Sequence, residues 1–344
     1  MLNCGQHIAE WVALSELYPL IFEPEFRSYI WGGRNLAALG RQLPAGVVAE
    51  SWEISGHPAS PTRVKAGPLA GRPLTALVET MGFDLLGRRN HDAWERRRFP
   101  LLVKLLDATR KLSVQVHPDD AYAIAHEGGE WGKTEMWYIL SAGPTAQIVC
   151  GLRAGVTPAQ LRNALDAGAP EPCLHYLPVR AGDAVFVPAG AIHALLGDAI
   201  VIEIQQTSDI TYRLFDWNRP GADGKPRPLH IERALDVIDF GLVEPAACRP
   251  EPATAIAGVR RQRLCHAPAF VVEQVSLEAG ASLSADGDGS TFEIWVAVAG
   301  NGTLDWAGGV CPLPALQFTL LPAALGPFAV RAAQPATFLR VYAE

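Results

Sequence analysis

The sequence predicts a mainly β fold of two small barrels with a few surface helices, and three observations carry that expectation. Strand-like runs recur between turns along most of the chain, as in FPLLVKLLDA, EMWYILSA and DAIVIEIQQ. The 27 prolines and 32 glycines are spread without a period, as many short strands and turns require. The same strand-and-turn grammar also appears twice, on either side of a stretch rich in proline and small residues near 243–255.

Taken in order, residues 1–18 form an N-terminal extension, and short strands and turns follow in SYIWGGRNL and VAESWEISGHP. Leu74, Leu77 and Met81 recur at helical spacing and predict a helix over about 74–86. The apolar run FPLLVKLLDA reads as a strand with one internal charge, Lys104, and KLSVQVHPDD follows it. Within that stretch Gln115 and His117 stand two apart, so in a strand both project from one face. A Gly-bounded loop, AHEGGEWGKTE, then leads into the strand EMWYILSA. TPAQLRNALDA predicts a surface helix with Thr157 as N-cap and proline at the first helical position. Strands return from Val179, HIERALDVIDF predicts a second helix, and the remainder to the C-terminus reads as strands throughout. The expected domains are therefore 19–243 and 256–344.

Composition narrows the function. A chain of 344 residues, 49% hydrophobic and 19% charged, can bury a sizeable core. Its net charge of -7 argues against a grip on nucleic acid or an anionic membrane, so a small molecule is the expected partner. Six cysteines without C-x-x-C spacing point to a reducing compartment. The apolar N-terminal run is interrupted by Glu10 and Glu16, and no stretch reaches the roughly 18 apolar residues of a membrane span. A cytoplasmic protein is expected.

GDAVFVPAGAIH, from Gly182 to His193, fits G-x5-P-x-G-x2-H: a strand feeds a Pro-Gly turn, which delivers an imidazole into a barrel mouth. This resembles the second motif of the cupin superfamily. The first motif then corresponds to Gln115, His117 and, after an insertion, Glu135. Two imidazoles, a carboxylate and an amide oxygen suit Zn²⁺ or another borderline divalent ion, one per chain. In the C-terminal half EIWVAVAG repeats the E-x6-G ending of the first motif, but LLPAALGPFAV brings no histidine, so a cupin-like lobe without metal is expected. A lone histidine in a β protein is more often structural than a ligand. His91, His126, His175, His230 and His266 are read that way, and His57 in SGHP is read as structural or as lining the pocket.

LSVQVHPDD, GKTEMWYIL, PAGAIHAL and IEIQQTSDITYRLFDW, in that order and following YIWGG, resemble the type I phosphomannose isomerases of the compact bacterial kind. The resemblance implies Zn²⁺ held by Gln115, His117, Glu135 and His193. It implies catalytic roles for Arg213, Lys133 and Glu203, the last as an acid/base, and sugar-phosphate contacts from Ser113, Lys104, Lys133 and Arg213. The activity implied is interconversion of mannose 6-phosphate and fructose 6-phosphate through a cis-enediol, by a monomer or homodimer. The competing expectation is a non-catalytic sugar-binding or sensing two-lobed cupin. An iron oxygenase of the same fold would commonly use three histidines in a largely apolar pocket, whereas Lys133 and Arg213 suit a phosphorylated polyol.

Overall fold

The computed structural model describes residues 17–343, so the first sixteen residues of the expected extension lie outside the described residues. The strands form four antiparallel sheets of eight, six, five and four strands, with short helices on their outer surfaces. In the six-stranded sheet the order is Ala184–Val187, Glu135–Ala142, Ala199–Gln206, Leu101–Ala108, Glu50–Ser55 and Glu25–Arg27. The five-stranded sheet runs Tyr212–Phe215, Val114–Val116, His193–Leu195, Gln147–Leu152 and Leu174–Pro178. One apolar cluster joins these two sheets face to face: Leu106, Trp137, Ile139 and Val201 from the first meet Ile148, Cys150 and Leu195 from the second.

Period-two alternation decides what enters this barrel. Leu101, Val103, Leu105, Met136, Tyr138, Ile202 and Ile204 turn outward, into a cluster shared with Val272, Ile294, Phe318, Leu320 and Val341 of the C-terminal half. Every residue of Leu101–Ala108 is consequently buried, the lysine included. On the far side Val114, Val116, Ala194, Tyr212 and Leu214 pack beneath Leu161 and Leu165 of the helix Pro158–Asp166 and Ala234 of the helix Ile231–Val237. The first of these helices has a capping box, with Gln160 N donating to Thr157 Oγ1 and Thr157 N to Gln160 Oε1.

The C-terminal half is a second sandwich, in which Trp295, Ala297, Val275 and Phe338 of the eight-stranded sheet face Leu304, Leu313, Phe328 and Val330 of the four-stranded one. Its eight-stranded sheet also takes in Leu20–Glu23, paired antiparallel with Phe318–Leu321. The beginning of the described chain thus completes the sheet of the last lobe. One local expectation is refined, and two short helices are added. The helix expected over 74–86 spans Leu74–Met81, breaks at Gly82 with φ +54° and resumes over Phe83–Leu86. Helices at His91–Glu95 and Asp120–His126 carried too few turns to show a periodicity; Asp119 caps the second through Tyr122 N. Among the described residues no helix is long and apolar enough to cross a membrane.

Candidate active site

The barrel interior is polar at one end. On the five-stranded sheet Arg213 is paired with Gln115 and Gln115 with His193, so their side chains share the inner face, and His117 follows two residues after Gln115. On the six-stranded sheet Trp52, Lys104, Glu203 and Trp137 form one row across four strands. Glu135 and Gln205 stand opposite one another one inward position away. The turn Pro188–Gly190 feeds His193; Gly190 adopts φ +85° and donates its N–H to His117 O at 2.9 Å.

His117, Glu135 and His193 come together fully buried, with ligand atoms all within 4.8 Å of one another. They are the one group of three or more His, Cys, Asp or Glu side chains among the described residues arranged to hold a metal ion. His193 Nδ1 donates to Ala191 O at 2.9 Å, which leaves Nε2 as a lone pair facing Glu135 Oε1 at 3.3 Å. His117 turns Nε2 toward Glu135 Oε2 at 3.7 Å, and both Glu135 oxygens are buried without a hydrogen bond, as befits groups kept for a ligand outside the chain. Lys133 Nζ lies 2.8 Å from Glu135 Oε2, an ion pair whose angles fall short of a hydrogen bond, and 3.1 Å from His117 Nε2. Gln115 closes the set with its amide nitrogen 3.3 Å from His193 Nε2; ligation would use the other end of that amide.

Burial dominates the electrostatics. It drives His117 well below the usual imidazole range, helped by Lys133 and His193, and it lowers His193 to about 4. Both rings are therefore neutral ligands at pH 7. Burial, with the charge of Glu203, pushes Glu135 up to about 7 against the pull of Lys133. Burial would raise Glu203 as well, but Lys104 and Lys133 reverse this and hold it at about 2. Lys104 Nζ is 3.1 Å from Glu203 Oε1 and 3.6 Å from Glu50 Oε2; burial opposes its charge, yet these carboxylates raise it above its ordinary value. Trp137 Nε1 donates to the other Glu203 oxygen at 2.9 Å.

Arg213 stands at the other end of its row. Its Nε donates to the buried Ser113 Oγ at 3.3 Å and its Nη1 to Pro228 O at 3.0 Å. Sequence reasoning missed its neighbours Arg219 and Arg227, both bound to Asp216, with Arg227 Nη2 at 2.6 Å and Arg219 Nη2 at 3.0 Å. Burial and the charges of Arg227 and Arg219 lower the pKa of Arg213. Two guanidiniums share one carboxylate beside Arg213, so the positive excess sits at this end, whereas Lys104 and Lys133 are matched by Glu50, Glu203 and Glu135. The basic residues of WNRPGADGKPRP were a signal, but nothing in a Pro/Gly loop said which way they fold back. His57 is half-buried against the edge of Trp52, at 5.9 Å between ring centroids, with Nδ1 accepting from Ala59 N.

The geometry has counterparts in known proteins. Mannose-6-phosphate isomerase ManA of Bacillus subtilis is 36% identical over 314 residues, which cover 90% of this chain and 95% of that protein. The chain belongs to the type I phosphomannose isomerase family. The family model for the type I phosphomannose isomerase catalytic domain matches residues 20–131. Mannose-6-phosphate isomerase of Streptococcus mutans is another relative, 40% identical over 74% of this chain and 77% of its own. The crystal structure of mannose 6-phosphate isomerase from Bacillus subtilis superposes with a TM-score of 0.84 at 33% identity, covering 95% of this chain and 99% of that one. Phosphomannose isomerase of Salmonella typhimurium, at 16% identity and a TM-score of 0.72, shares the fold. Membership in this isomerase family and the His117–Glu135–His193 set together point to a metal cofactor.

Proposed function

We propose that the chain interconverts mannose 6-phosphate and fructose 6-phosphate as a metal-dependent aldose–ketose isomerase. The observation that carries this reading is the buried His117–Glu135–His193 set with Lys133 against it, in a chain 36% identical to mannose-6-phosphate isomerase ManA over nine-tenths of its length. We take the ion as Zn²⁺, held by those three residues and by the Gln115 amide oxygen, because two imidazoles and a carboxylate suit a borderline ion. Once bound, it would act as a Lewis acid toward the substrate oxygens.

The chain's own residues supply the rest. Lys133 presents fixed positive charge where an enediolate develops, and Arg213 with Ser113 receives the phosphate at the cationic end of the barrel. Lys104 keeps its proton and holds Glu203 ionised 3.1 Å away, so Glu203 is the group that takes the proton from C2, becoming a neutral acid while the enediolate carries the negative charge, and returns it to C1. The buried row of Trp52 and Trp137 excludes water around that couple. The charges gathered round the site favour the enzyme over the non-catalytic sugar-binding reading. Free thiols at all five described cysteines agree with a reducing compartment, for which we take the cytoplasm.

A coupled assay for fructose 6-phosphate formation tests the proposal. Turnover of mannose 6-phosphate that chelator abolishes and Zn²⁺ restores is the expected result. Absence of turnover in metal-replete protein would overturn it.

A further inference from the structure

Lys133 reaches the site on the segment Gly132–Thr134, whose three consecutive backbone N–H groups are each received by a different acceptor. Gly132 N donates to Asp120 Oδ1 at 2.8 Å, Lys133 N to Pro118 O at 3.0 Å and Thr134 N to Gln206 Oε1 at 2.9 Å. The two side-chain acceptors are themselves joined: Gln206 Nε2 donates to Asp120 Oδ1 at 3.0 Å and reaches Oδ2 at 3.3 Å. Asp120 opens the helix that begins just after His117, and Gln206 ends the strand that carries Glu203 inward. The pair therefore ties together the two elements that flank Lys133 and Glu135.

On its outer side the segment borders open space at Thr134 and next to Trp131. A cavity of about 310 Å³ lies there, lined among others by Asp119, Asp120, Trp131, Thr134 and Gln206. On the other side the backbone is pressed against Asp119 so closely that a Cβ on Gly132 would stand 2.3 Å from the Asp119 carbonyl carbon. With space behind and a backbone wall in front, the hydrogen bonds that Asp120 and Gln206 accept from Gly132 N and Thr134 N, with the backbone bonds Lys133 N to Pro118 O and Gln206 N to Thr134 O, set where the segment lies.

We propose that Asp120 and Gln206 are positioning residues for the isomerase reaction, acting through the Gly132–Thr134 backbone to fix Lys133. Neither side chain is among the groups that meet at the His117–Glu135–His193 centre. The inference rests on Lys133 acting in turnover, as proposed above. What Asp120 contributes is an acceptor oxygen rather than a charge, since both of its short bonds from this pair converge on Oδ1, which asparagine retains.

The test compares Asp120→Ala, Gln206→Ala, the double alanine variant, Asp120→Asn and Lys133→Ala with the parent chain, all metal-replete, by steady-state kinetics, elemental analysis and thermal melting. Asp120→Ala and Gln206→Ala should each lose about 10–100-fold in kcat, with KM little changed and one metal per chain retained. Asp120→Asn should recover most of that loss, and the double alanine variant should fall no further than the worse single one, because the two residues form one unit. Near-parental kcat in both alanine variants, or a kcat loss matched by a loss of metal, would overturn the proposal. So would an Asp120→Asn protein as impaired as Asp120→Ala. Parental turnover by Lys133→Ala would instead remove the reading of Lys133 on which the inference stands, whatever the other variants do.

Discussion

Lys104 and Glu203 face each other across adjacent strands, Nζ to Oε1 3.1 Å, and both are buried inside the barrel. A buried pair of this kind is costly to break from one side, because the remaining charge keeps its desolvation penalty without its partner. Lys104→Met should therefore lower stability by about 3–5 kcal/mol in urea unfolding, with Glu50 and Glu203 left facing apolar carbon. Glu203→Gln should cost less, since Glu50 still faces Lys104 at 3.6 Å. Equal losses in the two variants would mean that Glu50 does not share the lysine.

The raised pKa of Glu135 makes the metal-free protein sensitive to pH in a direction opposite to ordinary acid denaturation. Its folded value of about 7 lies above the unfolded value of 4.5, so its contribution to stability is fully present below pH 4.5 and is lost as pH rises through about 7. His117 and His193, kept neutral by burial, lose stability as pH falls below about 6.5 and so oppose this trend; the Glu135 share is therefore read against Glu135→Gln, whose melting temperature relative to the parent chain, both metal-free, should rise from pH 6 to pH 8. A relative melting temperature that does not rise between these pH values would contradict the assignment.

Metal content should be one equivalent per chain and should fall to near zero in His193→Ala. In the C-terminal lobe Glu293 accepts from Trp295 Nε1 at 2.8 Å and from Arg340, and Glu273 accepts from Arg340 at 3.1 Å and Arg261 at 2.8 Å. Guanidinium groups thus neutralise Glu273 and Glu293. Arg340→Met should destabilise the protein by about 3 kcal/mol while leaving metal content at one. Two equivalents in the parent chain, by elemental analysis, would sink the one-site reading.

Mannose 6-phosphate should be converted at least about a thousandfold more efficiently than mannose, from roughly 4 kcal/mol of phosphate-derived stabilisation. The charge excess at Arg213, Arg219 and Arg227 against Asp216 motivates this, and Arg213→Ala should narrow the ratio between the two sugars. Comparable kcat/KM values for both sugars in the parent chain would show that the cluster serves another purpose.

The sequence alone determined the strands, the capped helix at Thr157 and the candidate ligands, because alternation, capping chemistry and the spacing of a Pro-Gly turn are local properties. That Gln115 and His117 share a face followed from period two, and His193 from its turn. Which groups neutralise which was decided by register: Lys104 meets Glu203 because Leu101–Ala108 pairs with Ala199–Gln206 at that offset, and a slip of one residue would turn the lysine into the apolar layer between the lobes. The same holds for Leu20–Glu23, which pairs on one side with Arg63–Val64 and on the other with Phe318–Leu321, some 300 residues away in sequence. The sharing of Asp216 by Arg219 and Arg227, and the bracket of Asp120 and Gln206 behind Lys133, are contacts between loops and strand ends. No periodicity encodes them, since loop closure brings such groups together only after the sheets have fixed the ends.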